Sequence, residues 1–199
     1  MKYKGIPRIS SIMEYIDDIL MIAKIEDRLK RIRRTGWLKS KIHHAETVSE
    51  HMHHTILMAL LLRKYLDTEV DWVKVYILSA IHDMGEAYIG DIPHPLKTEA
   101  DKSRELEYLN TILRIFRLEN LLNEVEEAET LEHYIYKFSE LLSTYSQGII
   151  YLERGYRDPY IFEILSNTLE RMEKIAEKTN IDTLRKIVSE LKDYYRNIV

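Results

Sequence analysis

Scarcity of chain breaks is what most narrows the folds open to this sequence. Its 199 residues hold six glycines and four prolines. Several of these gather in Gly90-Asp91-Ile92-Pro93-His94-Pro95 and in the stretch from Gly155 to Pro159. Between them, apolar residues recur at helical spacing, with no strand-like alternation of useful length and no solenoid repeat. The spacing predicts helices from Ser10 or Ser11 to about Arg28, from near Val48 to near Leu66, and from about Val70 to Ala87. Others are expected over Glu99 to Leu118, Glu119 to Glu127, Thr130 to Glu153, Tyr160 to Lys178 and Ile181 to Ile198, with a long loop from Arg31 to Ala45. Ile12, Ile16, Ile19, Leu20 and Ala23 should form the inward face of the first helix. The run Ile56 to Leu62, apolar all round, marks the second as a buried helix. The expected fold is all-α: one compact helical bundle with its core over about residues 12–153 and a C-terminal helical extension over 160–198. The apolar face of that extension (Ile161, Ile164, Leu165, Leu169, Met172) is expected to cover the bundle or meet a second subunit.

Composition excludes several classes of function. A net charge of −4 offers no global basic field, which argues against sequence-independent nucleic-acid binding. With no cysteine there are no disulfides, thiolate ligands or cysteine nucleophiles. Met1 to Ser11 carries no signal-peptide pattern, and the longest apolar runs are too short to span a bilayer, so a cytoplasmic location without membrane partners is expected.

Chemistry concentrates at the ends of the second and third helices. His51 lies near the start of one, and His82-Asp83 near the end of the other. A largely apolar helix that abruptly presents a histidine and an aspartate must satisfy them, since an unpaired buried carboxylate is very costly. A divalent cation does so at once. Glu86 follows one turn after His82, and Asp91 lies across Gly90. A single His–Asp dipeptide is usually a surface pair, and His43, His44, His53, His54, His94 and His133 read as ordinary histidines rather than ligands. Five residues of metal-ligating and acid–base type at this spacing are a different matter.

Three blocks carry a more specific pattern: Leu29-Lys30-Arg31-Ile32-Arg33-Arg34-Thr35-Gly36-Trp37, Glu46-Thr47-Val48-Ser49-Glu50-His51-Met52, and His82-Asp83-Met84-Gly85-Glu86-Ala87 continuing through Gly90-Asp91-Ile92-Pro93. They resemble the HD-domain metal-dependent phosphohydrolases, in particular the 5′-deoxynucleotidase branch. The resemblance implies a divalent metal ion held by His51, His82 and Asp83, with Glu86 and Asp91 handling the attacking water. It implies that Arg34 and Trp37 position the phosphate and pack near the nucleotide, and that Asp91 to His94 form a substrate-contacting turn. A homodimer is also implied. The fourth ligand should be an aspartate on the long later helix; at that place, three residues after Lys137, this chain has Glu140. Glutamate can ligate with one more methylene of reach. Glu140 lies off the apolar stripe Leu131, Tyr134, Ile135, Phe138, Leu141, Leu142, Tyr145 and Ile149. It sits on a face with Tyr136, Ser143, Thr144 and Gln147 that either lines a polar cleft or meets solvent.

The reaction so implied is hydrolysis of a (deoxy)nucleoside 5′-monophosphate to nucleoside and inorganic phosphate. Ligands of this kind admit Mn, Co, Mg, Zn, Fe or Ni. The competing readings are another HD-type phosphohydrolase, acting on a cyclic nucleotide, a nucleoside triphosphate or an alarmone, and a nucleotide-binding regulatory protein with a degenerate site. A purely structural helical adaptor ranks last.

Overall fold

The computed structural model describes residues 9–93, 96–126 and 128–198. Among them the regular elements are helices: α1 (Ile9–Leu29), α2 (Thr35–Lys39), α3 (Val48–Tyr65), α4 (Trp72–Ile81), α5 (Glu86–Ile89), α6 (Glu99–Phe116), α7 (Leu122–Glu126), α8 (Leu131–Glu153), α9 (Pro159–Thr179) and α10 (Asp182–Ile198), with a 3₁₀ turn at Glu119–Leu121. The all-α expectation holds. Side-chain caps explain why several helices begin where they do. Thr47 and Glu50 form a reciprocal capping box at α3, as Thr98 and Asp101 do at α6. Asp71, Thr130 and Asp158 cap α4, α8 and α9, the last followed by Pro159 in the first turn.

α8 is the central rod, packed against α3, α4 and α9. Tyr136, Phe138, Ser139, Ser143 and Tyr145 on it are fully buried. The face that carries Tyr136 and Ser143 therefore meets α3 and α4 rather than solvent. The C-terminal helices do cover the bundle: Ile161, Leu165 and Met172 of α9 are sealed, and the Tyr145 hydroxyl donates to the Leu191 carbonyl of α10 at 3.1 Å.

Four sequence expectations need correction. On α1, Ile16, Ile19 and Leu20 face outward and burial begins at the other end, with Ile25 and Leu29. Ile12 lies outside the residues whose side chains are described. α3 is not buried all round: Leu57, Leu60 and Leu61 are exposed, because α4 and α8 cover only part of its circumference. The loop from Arg31 to Ala45 contains the short helix α2. The third helix stops at Ile81, not Ala87. Residues 82–85 turn sharply before α5, with Met84 N–H bonded to the Ile81 carbonyl and Glu86 N–H to the Asp83 carbonyl. That interruption builds the site.

Candidate metal centre

The six residues between Tyr65 and Trp72 fold α4 back along α3, so the first turn of α3 lies beside the last turn of α4. His51 comes from the former and His82 from the latter, and their rings lie 5.4 Å apart at 75°. The turn at residues 82–85 swings Asp83 toward both: its Oδ2 is 3.3 Å from His82 Nε2 and 3.8 Å from His51 Nε2. One ligand atom from each of the three residues lies within 4.8 Å of the other two, the one such group among the described residues.

The hydrogen bonds behind the rings decide what the front atoms are. His82 Nδ1 lies 2.9 Å from the Ser79 carbonyl, which can only accept, so Nδ1 carries the proton and Nε2 a lone pair. Ser143 donates its hydroxyl proton to the Glu140 carbonyl at 2.9 Å and accepts from His51 Nδ1 at 3.1 Å. His51 Nε2 is thus also a lone pair. Both Nε2 atoms are buried without a hydrogen-bond partner. Two imidazole lone pairs and a carboxylate oxygen converge with no donor among them, a set that suits a divalent cation.

Electrostatics point the same way. Burial, reinforced by the Arg34 charge, holds His51 well below the ordinary imidazole value, so it stays neutral. Burial also works against a charged His82, but the Asp83 carboxylate, 3.3 Å from Nε2, prevails and raises its pKa from the ordinary value. As pH falls through the raised His82 pKa, proton and metal compete for Nε2 and metal affinity should drop. The onset should lie above the ordinary value of 6.5, whereas His51 adds nothing until lower pH. Titrating Mn²⁺ into the protein between about pH 6 and 8 checks this, and an affinity independent of pH would contradict it.

A second ring of residues surrounds the three. An isolated antiparallel bridge between Arg33 and Thr47, with Arg34 N–H bonded to the Glu46 carbonyl at 2.9 Å, lays the arginine loop over the start of α3. Arg34 then reaches Asp83 at 3.5 Å and Asp91 at 3.6 Å. Burial opposes its charge, but Asp91 and Asp83 hold it firmly protonated. Gly90, at φ +81°, takes the left-handed turn that brings Asp91 back to this loop. There Asp91 Oδ2 accepts from Thr35 N–H at 2.6 Å, and the Thr35 hydroxyl donates to the Asp91 carbonyl at 2.7 Å. Glu86 is nearly sealed, with one carboxyl oxygen lacking any partner. Burial first, then the charges of Asp83 and Asp91, push its carboxyl well above the usual range. The side of the site toward α6 is closed by a tight approach. A Cβ on Gly85 would meet the Glu105 carbonyl at 2.7 Å, and Glu105 itself pairs with Lys97 at 2.5 Å.

Trp37 and Glu140 make other contacts in this structure. Trp37 is only 2% exposed; its ring meets Tyr151 edge-on at 5.2 Å and its Nε1–H points at Glu46 Oε2 at 3.4 Å. It pins the arginine loop to the core and has no face left for a nucleotide. Glu140 is not part of the three-residue group: its carboxylate pairs with Lys137 at 3.0 Å. Burial alone would raise its pKa, but Lys137 and His82 hold it far below the carboxylate range. The neighbour of His82 on α8 is the Tyr136 ring, at 5.7 Å. His94 lies outside the described residues.

Residues 26–190 match the family model described as HD domain. This chain belongs to the HD-domain family. Among curated HD-domain relatives, it is 36% identical over 90 residues to the 5′-deoxynucleotidase HDDC2 of Danio rerio, covering 45% of this chain and 44% of that protein. It is 30% identical over 147 residues to the protein of the same name from Dictyostelium discoideum, covering 65% and 77%. The chain thus spans less than half the length of the first relative and about three quarters of the second. A conserved hypothetical protein from Pyrococcus furiosus superposes with a TM-score of 0.76 at 31% identity, over 89% of this chain and 99% of that one. An HD-domain phosphohydrolase from Listeria innocua, at 17% identity and a TM-score of 0.66 over 90% and 88% of the two chains, shares the fold.

Sequence reasoning overlooked several residues that serve this HD-domain site. Ser79 and Ser143 set the histidine tautomers, and Thr35 staples the two loops together. Glu46 places its carboxylate 3.9 Å behind His51 Nδ1 and 3.7 Å from His54 Nδ1. Glu46 precedes the first turn of α3, and the partners of its carboxylate, Trp37, His51 and His54, all lie within nine residues of it, so their nearness was legible in the sequence.

Proposed function

We propose that this chain is a metal-dependent phosphomonoesterase that hydrolyses (deoxy)nucleoside 5′-monophosphates to nucleoside and inorganic phosphate. The observation that carries this reading is the convergence of two partnerless imidazole lone pairs on the Asp83 carboxylate. The names of the curated relatives supply the substrate class. His51, His82 and Asp83 hold the cation, and Glu140 is the residue on α8 available to complete the set once parted from Lys137. A bound divalent ion supplies a water of lowered pKa and neutralises charge on the phosphoryl oxygens.

This chain's own residues do the rest. Arg34, already held by Asp83 and Asp91, offers its guanidinium fork to the phosphate, a geometry that lysine cannot copy. Asp91, fixed by Thr35, orients the attacking water and accepts its proton. Glu86, whose pKa burial and its acidic neighbours push up, delivers a proton to the departing 5′ oxygen. Arg34→Lys should therefore cost about 10–100-fold in kcat/KM, mostly through KM, while the melting temperature changes little. Equal KM values for parent and variant would remove Arg34 from the phosphate site.

We also propose that the enzyme works in the cytoplasm as a homodimer on a diffusible substrate. No described helix is long and apolar enough to cross a membrane. The exposed leucines of α3 supply apolar surface for self-association, which sedimentation at micromolar concentration would detect. A phosphate-release screen over mononucleotides, each with several divalent metals, tests the activity. Release from deoxynucleoside monophosphates is expected; release only from triphosphates or cyclic nucleotides would overturn it.

A further inference from the structure

Between α8 and α9 lies a cleft of about 260 Å³. Its lining holds the cations Lys137, Arg171 and Lys174 over the apolar side chains of Leu141 and Ile175, and no carboxylate. Arg171 has no carboxylate within ion-pair distance among the described residues, although its charge acts on Glu140. Lys174 pairs with Glu170 one turn away, at 2.7 Å on open surface, a contact worth little in water. Lys137 is the most enclosed of the three and pairs with Glu140 at 3.0 Å. Arg171 is thus the cation of this lining left without a carboxylate in ion-pair reach among the described residues, and an anion entering the cleft would meet it between Lys137 and Lys174. The cleft is smaller than a typical drug-sized pocket of about 300–1,000 Å³, which fits a compact anion.

We infer that this cleft is a second, regulatory anion site that takes a phosphate group, either inorganic phosphate or the phosphate end of a nucleotide, and that its occupant draws Lys137 off Glu140. The pair stands near the metal centre: the Lys137 ammonium lies 4.9 Å from the centre of the Tyr136 ring, and that ring lies 5.7 Å from the His82 ring. Freed of its ammonium, the Glu140 carboxylate adds negative charge beside His82 and Asp83 and strengthens the hold on a cation. An anion in the cleft and a cation at the centre thus favour each other, reciprocally. The coupling rests on the proposed metal centre; the anion site does not.

Calorimetric titration of the full chain, stripped of metal by a chelator, separates the two. Inorganic phosphate and a deoxynucleoside monophosphate are titrated in turn into the parent, Arg171→Gln and Arg34→Gln proteins. Phosphate should bind the parent and bind Arg171→Gln about tenfold more weakly, the loss of one charge-assisted contact; a loss confined to Arg34→Gln places the phosphate at the metal centre and overturns the site. No binding to the metal-free parent, or equal binding to Arg171→Gln, overturns the site. Tighter binding of phosphate than of the nucleotide identifies the reaction product as occupant, and the reverse order identifies a nucleotide. Mn²⁺ titrations with and without phosphate then test the coupling. Phosphate should raise Mn²⁺ affinity in the parent but not in Arg171→Gln or Glu140→Gln, and an equal rise in all three refutes it. A parent that binds phosphate but no Mn²⁺ would strike down the metal centre and leave the anion site standing.

Discussion

Alanine at His82 or Asp83 is expected to weaken divalent-metal binding at least about a hundredfold, near 2.7 kcal/mol, and to abolish phosphate release with it. The size follows from how few donors the centre has. Three side chains converge, and two of the donor atoms have no other partner. His82→Ala removes one of the two imidazoles. Asp83→Ala removes the only carboxylate of the group and also one of the two acids that hold Arg34. Neither change touches the sealed core of α4, whose Val75 and Leu78 stay in place, so the metal-free variants should remain folded. Metal content after dialysis, phosphate release and a thermal melt on the same samples make the check. A folded variant that keeps metal and activity would end the metal hypothesis outright.

Trp37→Ala should be the most damaging single change to stability, at about 3–5 kcal/mol. The indole is fully enclosed, lies edge-on to Tyr151, and passes so near Gly148 that a Cβ there would come within 3.2 Å of it. Removing it opens a cavity where α2 meets α8 and takes away the N–H that faces the buried Glu46 carboxylate. For a chain of this length the melting temperature should fall by about 10 °C or more. Arg34 sits three residues before the cavity, so activity should fall too, but as a consequence of a loosened loop. Trp37→Phe, which keeps most of the packing, should recover the larger part of both. An unchanged melting temperature together with a raised KM would show instead that the indole contacts the nucleotide.

Much of the helical layout could be read directly from the chain, because caps, glycine-poor runs and apolar spacing are local signals. α6, α8, α9 and α10 lie within two or three residues of where periodicity places them. The failures share a cause. α3 looked buried because its middle is apolar all round, yet Leu57, Leu60 and Leu61 are exposed. Hydropathy says that a residue would favour an apolar neighbour and says nothing of whether one is present. Glu140 was placed on a face open to a cleft or to solvent by the same kind of reading. It lies on the central helix, where Lys137 one turn away claims its carboxylate.

What the residues alone could establish is the inventory: helices that start near Val48 and about Val70, a histidine near the start of one, and a histidine–aspartate couple near the end of the other. These follow from short-range chemistry, namely capping, periodicity and the cost of an unpaired acid. Only the folded molecule decides that both Nε2 atoms carry lone pairs. The Ser79 carbonyl behind His82 is local, three residues back, but the Ser143 hydroxyl is brought to His51 from 92 positions along the chain. It likewise takes the packing of α8 against α3 and α4 to set the Tyr136 ring against His82, with Glu140 held nearby by Lys137. Long-range partners of this kind are set by how helices stack, and no local pattern encodes them.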